Sequence, residues 1–403
     1  MISIQDALQR LQENLPEARV DTVDLSEAHG RYLAESITSP EPSPRYTNSA
    51  MDGYTMRWSD IKDVSQENPV MLKVMGESRA GVPFDREVNR NEAVLISTGA
   101  ILPTGADTVV RVEDTRKPND DSVEILTVRS QGQDVRYEGE EFDCGDELLC
   151  TGTKLSARQL ALLATVGHHQ VKVFAPSRVS ILITGSELAS SAAKEIESHQ
   201  IRDSNSIMLK SVLHEAGAVV QSCSNVEDEL QTTINAISRA FSQKVDFILC
   251  SGGISVGEHD HVKEAAKAVG FKELFWRIRQ KPGKPLFAAQ KGSTYLFGLP
   301  GNPVSAYMCF VHYIRPLFFA IRGRGMAWKT ITAMTGGEIA NHGKRTNFIR
   351  VIIDQQEGQL PRIIDIKKQG SHMLSSIVNA DGYIIVEPST KVNPGEAVNV
   401  FLF

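Results

Sequence analysis

The feature that most constrains the fold of this chain is a regular alternation of β-like and helical segments between residues 178 and 321. Apolar runs of strand length are followed by segments with helical periodicity, and turn residues separate them. The pattern predicts strands at 179–184, 218–222 and 246–251, with helices at 205–216 and 228–241. Such alternation is typical of βαβ units on a parallel sheet, which binds ligands at the carboxyl ends of its strands. Residues 175–327 are therefore predicted to form an α/β domain that carries the site.

The segments on either side of this domain have different patterns. Ser3 and Asp6 form a capping-box pattern at the start of a helix at 3–15, and a second helix is predicted at 156–166, with Gly167 just past its end. Short β-like runs broken by turn residues lie between these helices, and further β-like runs follow residue 328. We expect the two helices to pack together, which would make the β segment between them an insertion. The fold class is multi-domain α/β plus β: a helical region (1–44 and 134–174), an inserted mostly β domain (45–133), the α/β domain (175–327) and a C-terminal β-barrel (328–403).

Charge and composition exclude several classes of function. The chain has 403 residues and a formal net charge of −6 without a basic block, which argues against broad binding to nucleic acid or to an anionic membrane. No run approaches the roughly 18 apolar residues of a membrane span, and the N-terminus lacks the apolar core of a signal peptide, so we expect a cytoplasmic protein. The five cysteines are odd in number and contain no Cys-x-x-Cys pair, which favours reduced thiols over disulfides or a thiolate metal site.

A glycine-rich loop follows the strand predicted at 246–251. It reads Ser251-Gly252-Gly253-Ile254-Ser255-Val256-Gly257 and precedes a helix that begins near Asp260. Glycines at this position allow backbone N–H groups to approach a phosphate, and the following helix N-terminus favours negative charge. The loop is therefore a candidate phosphate cradle. The alternative is that it forms only a tight turn, which many glycine-rich loops do.

Acidic residues lie at the predicted ends of the strands. Glu187, Asp203 and Asp260 would repel a phosphate unless a cation intervened, and Mg²⁺ prefers carboxylate oxygens shared with substrate phosphates. The sequence thus predicts a Mg²⁺ site. Taken singly, Asp203 or Asp260 is better explained as a helix N-cap, and only the convergence of the acids favours a metal. His259 and His261 flank Asp260 and suggest zinc, but their position at a helix start favours exposed residues.

Basic residues cluster between Trp276 and Pro285. If this segment is a strand, Arg277, Arg279 and Lys281 face one side and, with Lys284 nearby, suit a dianion such as phosphate. The alternative is an exposed edge strand protected by its charges. The run Leu299-Pro300-Gly301-Asn302-Pro303 then predicts a strand end, a rigid turn and a helix start.

Together these motifs resemble the molybdopterin molybdenumtransferases, the family that includes the C-terminal domain of gephyrin. The resemblance covers essentially the whole chain. Its motifs follow in the family's order: Pro44 to Tyr54, Ser97 to Ala100 with Gly105-Ala106-Asp107, Thr184 to Leu188, Asp203-Ser204-Asn205, Ser251 to Gly257 with Asp260, Lys281 to Pro285, Leu299 to Ser305, and Gly370-Ser371 with Leu374.

The resemblance implies an enzyme that inserts molybdate into adenylylated molybdopterin and releases AMP, with Mg²⁺ as its cofactor. It implies a homodimer joined by the helical region, with each cleft formed by the α/β and C-terminal domains of one subunit and the inserted domain of the other. Transient contact with the molybdopterin adenylyltransferase and other proteins of the pathway is also expected. The residues implied as catalytic are Asp52, Thr98, Glu187, Asp260, Lys281 and Lys284. Those implied for substrate binding are Asp203, Asn205, Ser251, Gly252, Gly253, Ser255, Gly257, Pro300, Gly301, Asn302, Pro303, Arg350 and Ser371, and those for the metal are Glu187, Asp203, Asp246 and Asp260.

Two positions depart from the family pattern, and two other functions remain open. Ser186 stands where the family usually has aspartate, so we assign the metal to Glu187 rather than to position 186, and Glu141 also replaces an aspartate. The first alternative function is the preceding enzyme, which adenylylates molybdopterin and resembles the α/β domain alone. The second is a carrier or scaffold without catalysis. The segment around Asp52 and the C-terminal β region argue against the first, and the acids argue against the second.

Overall fold

A computed structural model describes residues 1–254, 260–355 and 358–403. The chain divides into two units: one contains Met1–Asp21 and Phe174–Phe403, and the other contains Thr22–Val173. The first unit holds the α/β domain and the C-terminal β domain. The class predicted from the sequence, multi-domain α/β plus β, is confirmed.

The N-terminal helix α1, Ile4–Gln12, belongs to the first unit. The predicted capping box is present, because the Asp6 N–H donates to Ser3 Oγ at 3.0 Å and the Ser3 N–H donates to Asp6 Oδ2 at 3.2 Å. Ala7 and Leu11 are fully buried in the core of the α/β domain, and the Tyr295 hydroxyl donates to the carbonyl of Leu11 at 2.8 Å. The expected grouping of residues 1–44 with 134–174 therefore differs from the structure over the first 21 residues, because the apolar face of α1 packs on the α/β core.

The second unit is mostly β. Its sheet has the order β7-β4-β6-β5-β9-β8, with a core that includes Tyr54, Met56 and Leu72. Leu163, on a helix that ends as predicted before Gly167, packs separately with Leu33, Leu155 and Val173. The elements from Val20 to Phe174 are β1 Val20–Asp24, β2 Ile37–Thr38, β3 Asn48–Ser49, β4 Gly53–Met56, α2 Trp58–Ile61, β5 Val70–Ser78, β6 Glu92–Ile96, β7 Thr108–Arg111, β8 Thr115–Asn119, β9 Ser122–Ile125, β10 Val135–Arg136, β11 Glu147–Leu149, α3 Ala157–Thr165 and β12 Gln170–Phe174.

The α/β domain contains the alternation that the sequence predicts. Its elements are β13 Arg178–Thr184, β14 Leu188–Ala189, β15 Ile201–Arg202, α4 Asn205–Glu215, β16 Val219–Val226, α5 Leu230–Ser242, β17 Phe247–Ser251, α6 Val262–Val269, β18 Lys272–Trp276, β19 Gln280–Lys281, β20 Phe287–Lys291, β21 Thr294–Leu299, α7 Pro303–Cys309 and α8 Arg315–Phe319. The sheet order is β16-β13-β17-β21-β20-β18, in which the first four strands are parallel. The carboxyl ends of those four strands meet at one edge.

Alternating residues of the central strands enter two different apolar clusters. Phe247 and Leu249 of β17 pack on one face of the sheet with α1 and α7, whereas Ile248 and Cys250 pack on the other with α5 and α6. This period of two is expected for a strand covered on both faces. The central strands are therefore packed on both faces of the sheet.

The segment Pro303–Arg324 is long and apolar enough to cross a membrane by length and composition, but 72% of its most apolar stretch is buried inside the protein. It consists of α7 and α8 joined by a π-helical turn at Phe310–Ile314. Phe318 contacts Phe247 of the sheet with ring centroids 4.8 Å apart. The segment is a core helix of the α/β domain.

The C-terminal domain is a closed barrel. Its elements are β22 Thr330–Thr335, β23 Ile339–Asn341, β24 Thr346–Asp354, β25 Arg362–Asp365, α9 Ser375–Val378, β26 Gly382–Val386, β27 Thr390–Val392 and β28 Ala397–Leu402. The order β24-β25-β22-β28-β26 closes because β26 also pairs with β24. Ile349 and Val351 fill the barrel, while Phe348, on the alternate face of β24, packs in the α/β core. β19 of the α/β domain pairs in parallel with Thr346 and Asn347, the first two residues of β24.

Candidate active site

A cavity of about 350 Å³ lies at the carboxyl edge of the parallel sheet. It is formed by the segments that follow β13, β16, β17 and β21, as the βαβ pattern predicts. Its lining residues are Thr184, Gly185, Glu187, Asp228, Gly252, Gly253, Ile254, Asp260, Pro285, Pro300, Gly301 and Asn302. The structure thus brings together Glu187, Asp260, the two glycines and the turn at 300–302, all of which the sequence singled out.

The glycine-rich loop requires glycine at residue 252. Gly252 has a φ of +96°, and a Cβ there would lie 2.6 Å from Thr184 Oγ1 and 2.7 Å from the Thr184 carbonyl oxygen. A side chain is therefore excluded by both conformation and space. Ser255 and Gly257, the two other residues predicted for this loop, lie outside the described residues, as does His259.

A hydrogen-bond network fixes the floor of the site. The Asn205 amide, at the start of α4, donates to Ser251 Oγ at 2.8 Å and to the Gly301 carbonyl at 2.7 Å. It therefore joins the ends of β17 and β21. Asn205 Oδ1 is buried and has no hydrogen-bond partner in the described part of the chain, so it remains as an acceptor beside the cavity. Asn302 caps α7, and Pro303 is the first residue of that helix, as predicted.

The acidic residues predicted for the metal do not all lie at the cavity. Glu187 and Asp260 line the cavity together with Asp228. Asp203 is buried and its carboxylate accepts the N–H of Ser206 at 3.0 Å, as the helix-cap alternative predicts. Within the residues described, no three His, Cys, Asp or Glu side chains converge closely enough to hold a metal ion by themselves.

The assignment of Asp246 to the metal is wrong. This residue precedes β17, whereas the cavity lies beyond the other end of that strand, about 16 Å away at roughly 3.3 Å per residue. Its carboxylate accepts the N–H of Arg178 at 2.7 Å and forms an ion pair with Arg19 at 3.0 Å. Asp246 therefore anchors the start of the sheet, and a cation shared with Asp260 is out of its reach.

The predicted one-sided row of cations is also not formed. Arg277 has a φ of +64°, which ends β18, and its guanidinium lies 4.1 Å from the centre of the Trp276 ring. Arg279 faces a different cavity beside α1. Lys281, the last residue of β19, and Lys284, on the turn that follows, are both exposed. This turn is tightly packed, because a Cβ on Gly283 would lie 2.5 Å from Cys309 Sγ.

Arg350 is the largest fully buried side chain, and it is a cation. It alternates with Ile349 and Val351 on β24, so its side chain leaves the outer face of the barrel beside Phe348. Nε, Nη1 and Nη2 all lack a hydrogen-bond partner among the described residues. Burial lowers the pKa of Arg350 to about 10, which still leaves it charged at neutral pH. An uncompensated buried guanidinium is costly, so this arrangement favours an anionic ligand.

The C-terminal domain also reaches the sheet edge. Asn302 Nδ2 donates to Ser371 Oγ at 3.4 Å, which links the predicted residue Ser371 to the turn at 300–303. β19 carries Lys281 and lies beside the strand that carries Arg350. Lys281, Ser371 and Arg350 are therefore all held where the α/β domain and the barrel meet.

In the second unit, Asp52 and Thr98 lie side by side and are exposed. The Thr98 N–H donates to Asp52 Oδ1 at 2.7 Å, and its hydroxyl lies 3.2 Å from the same oxygen. Asp52 directly precedes β4, where a Cβ on Gly53 would collide with the Val110 carbonyl. The two predicted motifs around Asp52 and Thr98 thus form one exposed polar site. Glu141, the departure noted above, accepts the Ser43 hydroxyl at 2.8 Å.

Sequence reasoning missed two residues of the first unit. Asp228 lines the cavity and accepts the N–H of Ser186 at 2.9 Å. It follows the edge strand β16, so the signal that identified Glu187, an acid after a parallel strand, also applied to it. Gln369 was missed because a side-chain amide that bonds to backbone has no sequence signature.

The fold and this site define a multi-domain protein whose α/β domain carries a glycine- and acid-lined cavity at the carboxyl edge of its sheet. Three family profiles match successive regions: "MoeA N-terminal region (domain I and II)" at residues 2–167, "Probable molybdopterin binding domain" at 180–320 and "MoeA C-terminal region (domain IV)" at 332–403. The chain belongs to the MoeA family.

Similar proteins match over the full length. A protein of Haemophilus influenzae named molybdopterin molybdenumtransferase is 33% identical over 99% of this chain and 98% of its own length. A Bacillus subtilis protein of the same name is 30% identical over 100% of this chain and 94% of its own length. The crystal structure of a molybdopterin biosynthesis MoeA protein from Pyrococcus horikosii superposes with a TM-score of 0.85, at 29% identity, over 100% of this chain and 99% of that one.

Proposed function

We propose that this protein is a molybdopterin molybdenumtransferase: it consumes adenylylated molybdopterin and molybdate and releases AMP and molybdenum cofactor. The observation that carries the proposal is the full-length match to relatives of that name, which covers the inserted and C-terminal regions as well as the α/β domain. An enzyme that only adenylylates molybdopterin would need the α/β domain alone. A pure carrier would not need acids beside a phosphate cradle.

The cavity at the sheet edge suits the pyrophosphate of adenylylated molybdopterin. Gly252 and Gly253 leave the backbone open to a phosphate, and Asn302 lines the same cavity. The Asn205 network holds both sides of this cradle at a fixed spacing. The main contribution of these residues is position and electrostatic complementarity as the anhydride bond breaks and AMP leaves.

A Mg²⁺ ion fits this site if the substrate supplies part of its coordination. Glu187, Asp228 and Asp260 line the cavity but do not converge, so a phosphate-bound Mg²⁺ that touches one or two of them is the arrangement their spacing favours. When bound, such an ion would offset the charge that develops on the departing AMP. The carboxylates themselves would orient the ion and keep the anhydride from binding without it.

The molybdate would bind on the side of the C-terminal domain. Lys281, Lys284 and Arg350 supply positive charge, and Ser371 supplies a hydroxyl. The dithiolene sulfurs of the pterin, not a protein cysteine, would receive the molybdenum. Cys250, which directly precedes Ser251 at the end of β17, stays protonated because burial raises the pKa of its thiol to about 12.

We further propose that the enzyme is a cytoplasmic homodimer with composite sites. The exposed Asp52 and Thr98 pair lies on a different unit from Asp260, and the family resemblance assigns the two to opposite subunits of one cleft. A closed cleft would then need the inserted domain of the partner.

The test is direct. Purified protein is given adenylylated molybdopterin with and without molybdate, and AMP and active cofactor are measured. We expect AMP release that depends on molybdate and cofactor that activates an apo-molybdoenzyme. Formation of adenylylated molybdopterin from ATP and molybdopterin would instead identify the adenylylating enzyme, and binding without turnover would identify a carrier.

A further inference from the structure

The backbone of Arg350 is held on both of its polar groups by one side chain. The Arg350 N–H donates to Gln369 Oε1 at 3.1 Å, and Gln369 Nε2 donates back to the Arg350 carbonyl at 2.9 Å. Gln369 Nε2 also donates to the Ile366 carbonyl at 2.6 Å. A single carboxamide thus ties β24 to the loop that leads to Ser371.

The Gln369 carboxamide continues the hydrogen bonding between β24 and β25 at the point where the backbone after β25 leaves the sheet. β25 pairs with β24 up to Asp365 opposite Val351, and the Ile366 N–H extends the pairing by one bond to the Arg350 carbonyl. The chain then turns away, and the Gln369 side chain, which has the donor and acceptor of a peptide group, takes the next place. An ionised carboxylate has no donor and an apolar side chain has neither group, so among these only an amide satisfies both.

These bonds from Gln369 to the Arg350 backbone matter because the Arg350 guanidinium has no hydrogen bonds of its own within the described residues, although it is fully buried. Its position before an anion binds is therefore set by packing and by where the backbone of β24 lies. The same amide sets the path of the chain two residues before Ser371, whose hydroxyl meets Asn302 at 3.4 Å. Gln369 is the one side chain in the described structure that bonds to the Arg350 backbone while shaping the Ser371 loop.

We infer that Gln369 is a positioning residue that fixes the spacing between Arg350 and Ser371 and so sets the affinity for the tetrahedral oxyanion. The inference rests on the proposed function, because it takes molybdate as the anion. Gln369 touches no reacting atom in this account. It acts through Arg350 and Ser371, so its loss should weaken oxyanion binding more than pterin binding.

The test compares two substitutions at Gln369 with a matched control. Gln369→Glu removes the donor and directs a carboxylate at two carbonyls, and Gln369→Met removes the hydrogen bonds without adding a buried charge. The control is Asn341→Asp, the same amide-to-carboxylate change in the same domain, where Asn341 Nδ2 donates to the carbonyls of Arg345, Val386 and Glu387. Thermal unfolding, molybdate binding by equilibrium dialysis without pterin, and the half-saturating concentrations of both substrates are measured.

For both Gln369 variants we expect the molybdate dissociation constant and half-saturating concentration to rise by about tenfold or more, as is typical when a supporting residue is removed. The half-saturating concentration of adenylylated molybdopterin should change less than about twofold, the scatter expected where no contact is lost. Asn341→Asp should lower the unfolding temperature but leave molybdate binding unchanged.

The outcomes separate the two proposals. A wild-type protein that neither binds molybdate nor releases AMP rejects the proposed function itself. If the wild type is active, any of three results would overturn the role of Gln369. They are unchanged molybdate binding in Gln369→Met, equal losses of affinity for both substrates, and a loss of molybdate binding that Asn341→Asp reproduces. If Gln369→Glu does not fold, Gln369→Met decides alone.

Discussion

Lys281 lies opposite Asn347 in the parallel pairing of β19 with β24. Asn347 precedes Arg350 by three residues on β24. The α/β domain and the barrel are therefore joined by backbone hydrogen bonds at the place where their basic residues meet. The Gln280 side chain holds the α/β side of the junction, because its amide donates to the Pro282 carbonyl at 3.1 Å and accepts the Tyr313 hydroxyl. Arg345 of the C-terminal domain donates across the junction to the Gln280 carbonyl at 3.1 Å. The lysine-bearing turn and the arginine-bearing strand are thus held as one piece.

A divalent cation should be required for AMP release, because three carboxylates line the cavity that we propose holds the pyrophosphate of the substrate. Exhaustive chelation should abolish turnover, and added Mg²⁺ should restore it. Molybdate binding by dialysis serves as the control and should survive chelation. Undiminished AMP release from the chelated enzyme would reject the metal role.

Lys281→Ala should raise the molybdate requirement more than it weakens pterin binding, because a compact ammonium suits an oxyanion. We expect about a tenfold rise in half-saturating molybdate, which corresponds to about 1.4 kcal/mol. Lys329→Ala, at another exposed lysine of the same unit, removes the same charge and is the control. Equal losses for molybdate and pterin would refute the assignment of Lys281.

Gly252→Ala should abolish the phosphate cradle, because the new methyl group would lie 2.6 Å from Thr184 Oγ1 on a residue with a φ of +96°. We expect activity to fall by at least about a hundredfold, the usual scale for a misplaced substrate. Gly292→Ala is the matched control, because Gly292 has a φ of +57° but open space around it. It should cost about 1 kcal/mol of stability and leave turnover intact. Comparable activity in the two variants would contradict the cradle.

A composite site predicts complementation between inactive variants. Asp52→Asn and Asp260→Asn homodimers should each be nearly inactive, but a mixed dimer would contain one doubly altered cleft and one intact cleft. Random re-association makes about half of the dimers mixed, so AMP release should recover to roughly one quarter of refolded wild type. Verified mixed dimers without recovered activity would show that both acids serve the same subunit's cleft.

Acid should destabilise the first unit partly through His312. This ring is buried among aromatic residues, its Nδ1 bonds to the Tyr383 hydroxyl at 2.8 Å, and burial lowers its pKa from 6.5 to about 3. Because the folded state resists protonation of His312, the contribution of this residue to the free energy of unfolding is complete above pH 6.5 and is lost as the pH falls toward 3. The loss between pH 7 and pH 4 should be about 3 kcal/mol.

The check is denaturant unfolding of the wild type and His312→Phe across this pH range. The variant should be less stable at pH 7, by about 1 kcal/mol for the lost bond to Tyr383. Its stability should then fall less steeply below pH 6.5. If the free energy of unfolding falls equally with pH in the two proteins, His312 does not cause the loss of stability in acid.

Local patterns in the sequence determined much of this protein. The capping box of Ser3 and Asp6, the βαβ alternation and the need for glycine at position 252 depend on neighbouring residues and on backbone geometry, so they are readable without a structure. The meeting of Glu187, Asp260 and Asn302 at one cavity followed as well, because the carboxyl ends of parallel strands share an edge.

Only the tertiary structure decided which distant segments meet. The apolar face of α1 specifies burial but not a partner, and packing placed it on Tyr295. The strand predicted at 246–251 already placed Asp246 at the end away from the glycine loop, but only the structure showed that Arg19 is its partner. The left-handed backbone of Arg277 broke the expected row of cations. Closure of the barrel against the α/β core buried the Arg350 guanidinium with no hydrogen-bond partner among the described residues, and the Gln369 side chain bonded to the backbone of Arg350. These features depend on contacts between residues far apart in the chain, and a periodic pattern carries no information about such contacts.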